Sequence, residues 1–128
     1  SISGIDVLRA IEWAIDNTTA KIFNMSFGAE VEEDDPALAR LIDEIIDVHG
    51  LTVVAAAGNE GEKGEKSVGD TGLAFNGISV ANWDTRGTFS KQDDRVHPSS
   101  SQGPSIAGRF KPDMAAPGTQ ILSASNQG

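Results

Sequence analysis

Asn59 closes the run Val53-Val54-Ala55-Ala56-Ala57-Gly58. Small and β-branched apolar residues in unbroken order predict a strand buried on both faces. The strand stops at Gly-Asn, which brings an uncharged amide to its carboxyl end. In open α/β sheets, ligands bind along that edge. An amide fixed there can donate a hydrogen bond to the negative charge that develops on a carbonyl oxygen during acyl transfer. Ala55, Ala56 and Ala57 leave space beside it. The combination predicts an oxyanion hole next to a substrate pocket. The plain alternative is an asparagine in a left-handed turn after a strand.

Other residues invite chemistry and carry less of it. Ser26 is not expected to be a nucleophile, because the chain shows no base to activate it. His49 ends a helical pattern, where the dipole favours a cation. His97 precedes Pro98 in a loop. Both are expected to be structural or solvated. Glu32, Glu33, Asp34 and Asp35 are consecutive. Calcium loops alternate their ligands, so this run is expected to be a solvated face, and no metal site is expected in this chain.

The elements that must position Asn59 follow from periodicity. Val7, Leu8, Ile11 and Ile15 recur at helical spacing over Ser3 to Asn17, with Ser3 as cap and Asp6 in the first turn. Lys21 to Ser26 reads as a strand ended by Gly28. Asp35 and Pro36 read as the cap and first residue of a second helix. Leu38, Leu41, Ile42, Ile45 and Ile46 form its apolar stripe, while Asp43, Glu44 and Asp47 face water. His49 and Gly50 end it, and Leu51 to Ala57 is the second strand. Helix, strand, helix, strand predicts a parallel sheet with right-handed crossovers, an α/β fold. Ser26-Phe27-Gly28 and Gly58-Asn59 then emerge on the same sheet edge.

Beyond Asn59 the pattern weakens. Glu60 to Thr71 reads as a mobile surface loop. Gly77 to Trp83 is a third strand, and Thr85 to Ser101 a long loop whose Lys91–His97 stretch faces solvent. Asp113 to Ala115 and Gln120 to Ala124 read as short strands around a Pro-Gly turn.

The chain has 128 residues, the length of one small domain, and a formal net charge of −9. That charge argues against nucleic-acid and anionic-membrane partners. No segment is long and apolar enough to span a membrane, and no signal peptide is visible. With no cysteine there are no disulfides or thiolate metal sites. The compartment stays open.

Three blocks, in order, resemble the subtilisin-like serine proteases. Val53 to Gly61 resembles their oxyanion-hole strand, and Asn24-Met25-Ser26-Phe27-Gly28 their substrate-binding strand. Ser100 to Pro104 with Lys111 to Gly118 resembles the segment that leads towards their nucleophile. The resemblance covers Gly4 to Ser123. It implies a partial subtilisin-like three-layer fold. It implies that Asn59 is the oxyanion-hole amide, that Ser26, Phe27 and Gly28 pair with the substrate backbone, and that Phe27 walls the primary pocket and a neighbouring subsite. It implies too that Ala55, Ala56, Ala57 and Gly58 line one side of that primary pocket. The partner is then a peptide or protein substrate.

The family's triad runs Asp, His, Ser, in Asp-Thr/Ser-Gly, His-Gly-Thr and Gly-Thr-Ser-Met-Ala. None of these motifs is expected in residues 1–128. The chain is therefore expected to be the central part of a peptidase domain, inactive alone, with the rest of that domain as a partner. Cut edges are expected to make copies associate. The chain itself needs no cofactor, and the family leaves calcium open for a complete protein. The family also tilts the compartment towards a secreted or cell-surface place. Two other functions are consistent with the residues. One is a pseudoprotease that binds peptides without cleaving them. The other is an unrelated doubly wound ligand-binding module, although no Gly-x-Gly-x-x-Gly or Gly-Lys-Ser/Thr loop follows a strand.

Overall fold

The computed structural model describes residues 4–124. Helix α1, Gly4–Asn17, buries Val7 and Ile11 on one face. Its end is satisfied locally. The Asn17 amide donates to the Trp13 carbonyl at 2.9 Å, and the Thr18 hydroxyl to the Ala14 carbonyl at 2.7 Å. The expected Ser3 cap lies outside the described residues. Strand β1, Ile22–Met25, follows.

Helix α2, Ala37–His49, carries the expected stripe, with Ala39, Ile42 and Ile45 buried. Full burial of a side chain such as Ile42 contributes about 1.5–3 kcal/mol. The helix starts one residue later than Asp35-Pro36 predicts. Pro36 is the extended N-cap, and its carbonyl accepts the Arg40 N–H. Asp35 instead meets the Arg40 guanidinium through its carbonyl and its carboxylate. Gly50 caps the far end in the left-handed conformation, returning its N–H to the Ile46 carbonyl. Asp43 does not face water as the periodicity suggests. Its two carboxylate oxygens accept the N–H groups of Phe75 and Asn76, tying α2 to the loop before the third strand.

Strands β2, Thr52–Ala56, and β3, Ile78–Asp84, continue the sheet. β1 pairs with β2 in parallel, Met25 opposite Ala55, and β2 with β3 in parallel, Ala55 opposite Ser79. Arg95–Val96 forms a short antiparallel strand, β4, on β3. Met114–Pro117 forms β5, parallel to β3. β4 was not legible in a loop rich in polar residues. β5 runs on through Pro117, where the sequence predicts a turn, and Gln120–Ala124 is not a strand.

Both helices pack on one sheet face. Val7, Ile11, Ala39, Ile42 and Ile45 meet Met25, Val53 and Ala55 there, with Val68, Leu73 and Ala74 closing the cluster. The opposite face is open among the described residues. Ile22 is 69% and Met114 52% exposed. Between them Asn24, Val54, Ala56, Val80, Asn82 and Ala116 line a shallow groove of about 440 Å³. So β2 is covered on one face only within these residues: Ala55 is buried and Ala56 exposed. The sheet and one helical layer are two of the three layers expected.

The stretch 60–71 is not a plain surface loop. It makes two short 3-10 turns, Gly61–Lys63 and Asp70–Leu73. Gly61, Val68 and Thr71 are buried.

Candidate functional site

The carboxyl ends of β1 and β2 lie side by side, because the two strands are parallel neighbours in register. Gly28 leaves the first and Gly58-Asn59 the second. Both reach one cleft of about 90 Å³, whose other walls are Ala29, Glu30, Glu60, Ser67, Gly69 and Ser101. Asn59 is exposed, and no hydrogen bond holds its side chain among the described residues. Its amide is therefore available to a ligand.

The turn around Asn59 is held by Ser101. The Ser101 N–H donates to the Gly58 carbonyl at 3.0 Å, and the Ser101 hydroxyl oxygen accepts the Glu60 N–H at 3.0 Å. Gly58 has φ +114, a backbone that residues with a Cβ rarely adopt.

Of the residues singled out by sequence, Gly28, Gly58 and Asn59 come together. Ser26 and Ala56 line the open groove on the bare sheet face instead, while Ala55 is buried in the core cluster under the helices. Ala57 is buried, and its carbonyl accepts the Gly69 N–H at 2.9 Å. Phe27 packs partly against the core cluster. It also walls a second, apolar groove of about 310 Å³ with Val7, Ala10, Ile11 and Met25. Sequence reasoning assigned no role to Gly69 or Ser101. Ser101 lies inside the Ser100–Pro104 block, but a hydroxyl that secures a turn 41 positions away leaves no local signal.

Charge gathers at the cleft's rim. The Lys63 ammonium hydrogen-bonds to the Glu30 carboxylate and lies 3.3 Å from Glu60. The Lys63 hydrogen bond holds the Glu30 carboxyl below its ordinary value, and Glu30 in turn raises Lys63. These side chains are well exposed, so water screens the pairing and it adds little to stability.

No histidine lines the cleft. His97 contacts a serine, Ser99, at 2.8 Å, but the contact is local: the Ser99 N–H also reaches the same ring nitrogen at 3.2 Å. The acidic run is partly structural. Asp34 accepts the Ala107 N–H and the Arg109 guanidinium. Among the described residues, no group of three or more His, Cys, Asp or Glu side chains is placed to hold a metal ion.

The expectation that no triad motif occurs needs a correction. Asp70-Thr71-Gly72 spells the Asp-Thr-Gly of the family's aspartate. It stands after Gly58-Asn59, whereas the triad aspartate opens the family's order. Its carboxylate meets no histidine. The Asp70 Oδ1 accepts the N–H groups of Ala29 and Thr71 at 2.8 and 2.7 Å.

Comparison with known proteins bears on the family and the fold. The model of the subtilase family matches residues 1–128. Serine protease AprX of Bacillus subtilis (strain 168) is 35% identical over 129 residues, covering 92% of this chain and 28% of that protein. The structure of the prenylagaramide maturation protease PagA superposes with a TM-score of 0.75 at 24% identity, over 99% of this chain and 41% of that one. The PatG macrocyclase in complex with peptide gives 0.71 at 20% identity, over 99% and 34%. The chain thus spans less than a third of the length of its curated relative AprX. On the match to the family model and the likeness to AprX, the chain belongs to the subtilase family.

Proposed function

We propose that this chain supplies the oxyanion-hole amide and part of the peptide cleft of a serine endopeptidase that hydrolyses peptide bonds through an acyl-enzyme. One observation supports this reading above the rest. Gly28 and Asn59, from two different strand ends, share one cleft at the carboxyl edge of a parallel sheet. An extended peptide beside Ser26-Phe27-Gly28 would pair by main-chain hydrogen bonds, which tolerate many sequences. Phe27 would wall a neighbouring apolar subsite, its groove against Val7 and Ala10. The scissile carbonyl would point at the Asn59 amide. A structural neighbour, the PatG macrocyclase, was seen in complex with peptide, which is consistent with a peptide ligand.

The test is Asn59→Ala in a complete subtilase domain carrying this sequence. We expect kcat to fall ~100- to 1,000-fold with KM little changed, a magnitude taken from the oxyanion-hole asparagine of subtilisin. A change in KM alone would mark Asn59 as a ground-state contact. A wild-type domain that binds peptides and cleaves none would instead support the peptide-binding alternative.

A further inference from the structure

We propose that Asp70 and Thr71 are positioning residues that brace the substrate strand against the oxyanion strand; this rests on the peptide-cleft reading above. The Thr71 hydroxyl donates to the Phe27 carbonyl at 2.7 Å. The Asp70 carboxylate accepts the Ala29 N–H at 2.8 Å, and the Asp70 N–H returns to the Ala29 carbonyl at 3.0 Å. These bonds take the main-chain groups of residues 27 and 29 and skip residue 28. Gly28 between them is exposed, with no hydrogen-bond partner for its N–H or carbonyl among the described residues.

The same turn reaches the other strand. The Gly69 N–H donates to the Ala57 carbonyl at 2.9 Å, one residue before Gly58. Residues 69–71 thus touch both walls of the cleft and set the span between Gly28 and Asn59. The contact is close. A Cβ added at Gly28 would lie 2.9 Å from the Thr71 hydroxyl and 3.1 Å from the Asp70 carboxylate. Thr71 is buried, so replacing its hydroxyl by a methyl group leaves the Phe27 carbonyl without this donor and the strand without this tie.

A brace of this kind matters most to a ligand that uses the strand. An extended peptide must match Gly28 and Asn59 together, whereas a single-residue ester makes no strand pairing. The experiment compares these two substrates in a complete, titrated subtilase domain bearing Thr71→Val and Thr71→Ser. We expect Thr71→Val to lower kcat/KM about tenfold more for the peptide than for the ester, through KM, which is what one lost hydrogen bond yields when expressed as affinity. Thr71→Ser, which keeps the hydroxyl, restores the wild-type ratio. An equal loss on both substrates, or no loss, overturns the proposal. If Thr71→Val does not fold, Asp70→Ala carries the same comparison through the Ala29 N–H. A wild-type domain that cleaves neither substrate overturns the protease reading and the brace together. Cleavage by the wild type without discrimination by the variants overturns the brace alone.

Discussion

The Ser101 hydroxyl fills the space that a side chain at Gly58 would need: a Cβ built on Gly58 lies 2.6 Å from it. The same hydroxyl holds the Glu60 N–H, so a single serine both excludes a side chain at Gly58 and fixes the turn bearing Asn59. Gly58→Ala is expected to destabilise the fold by about 1–3 kcal/mol, from the strained backbone and the clash. Ser101→Ala is expected to cost about 1 kcal/mol, the net worth of the lost hydrogen bond. The double variant should cost less than the sum, because removing the hydroxyl relieves the clash. Denaturant midpoints of the four proteins measure the coupling. Strict additivity would show that the two residues do not share the space.

Asp34 and Arg109 join three loops and make one limb of stability pH-dependent. The Arg109 guanidinium donates to the Asp34 carboxylate at 3.0 Å and to the carbonyls of Asp34 and Leu73, and lies 3.8 Å from the Phe75 ring centre. Burial alone would raise the Asp34 carboxyl. The Ala107 N–H, the Ser105 hydroxyl and Arg109 outweigh it, and the carboxyl sits below its ordinary value. A depressed carboxyl stabilises the fold fully above its unfolded value of about 4, and that contribution fades as pH falls through the folded value. Asp34→Asn should therefore lower the denaturant midpoint at pH 7 and make its decline between about pH 5 and 2 shallower. A parallel decline in both proteins would show that the acid limb belongs to other carboxylates.

The strands and helices that build the cleft were legible because their signals are local. Val53 to Ala57 is an unbroken apolar run, and Leu38 to Ile46 a helical stripe. The order of these elements then forces Gly28 and Gly58 to one sheet edge. Legibility fails where a long-range polar bond decides the structure. Asp43 reads as a solvated helix residue until Phe75 and Asn76 arrive to use it. Residues 60–71 read as a loose loop, yet Val68 joins the core and Thr71 meets Phe27, 44 positions away. Asp70-Thr71-Gly72 shows the reverse failure: the letters of a catalytic motif occur where the carboxylate serves a backbone turn. Short strands such as β4 have too few residues for any periodicity to show.

The polypeptide of residues 1–128 by itself is expected to lack peptidase activity. The cleft holds no histidine, and the His97–Ser99 contact spans two residues in a local turn. An acyl-enzyme needs a serine with a base oriented against it. A fluorophosphonate titrant at a few equivalents should leave the pure chain unlabelled by intact mass. Stoichiometric labelling of any serine would overturn this, and peptide mapping would then identify the nucleophile.

The same polypeptide is expected to associate with itself. β1 pairs on one side only among the described residues, and the sheet face opposite the helices is open. Ile22, Ile78 and Met114 are exposed on that face at 69%, 37% and 52%. An unpaired edge seeks another strand, and a contiguous apolar face seeks cover. The net charge of −9 opposes close approach but satisfies neither need. Charge is screened beyond about 8 Å at physiological ionic strength, so salt should promote association. Light scattering at micromolar concentration is expected to give a dimer or larger species, with the mean mass rising between low and 150 mM salt. Ile78→Lys places a cation on the open face beside Val54 and should lower that mass. A chain that stays monomeric at every salt concentration and melts cooperatively would show that the open face and edge are tolerated in water, and that residues 1–128 suffice as a folding unit.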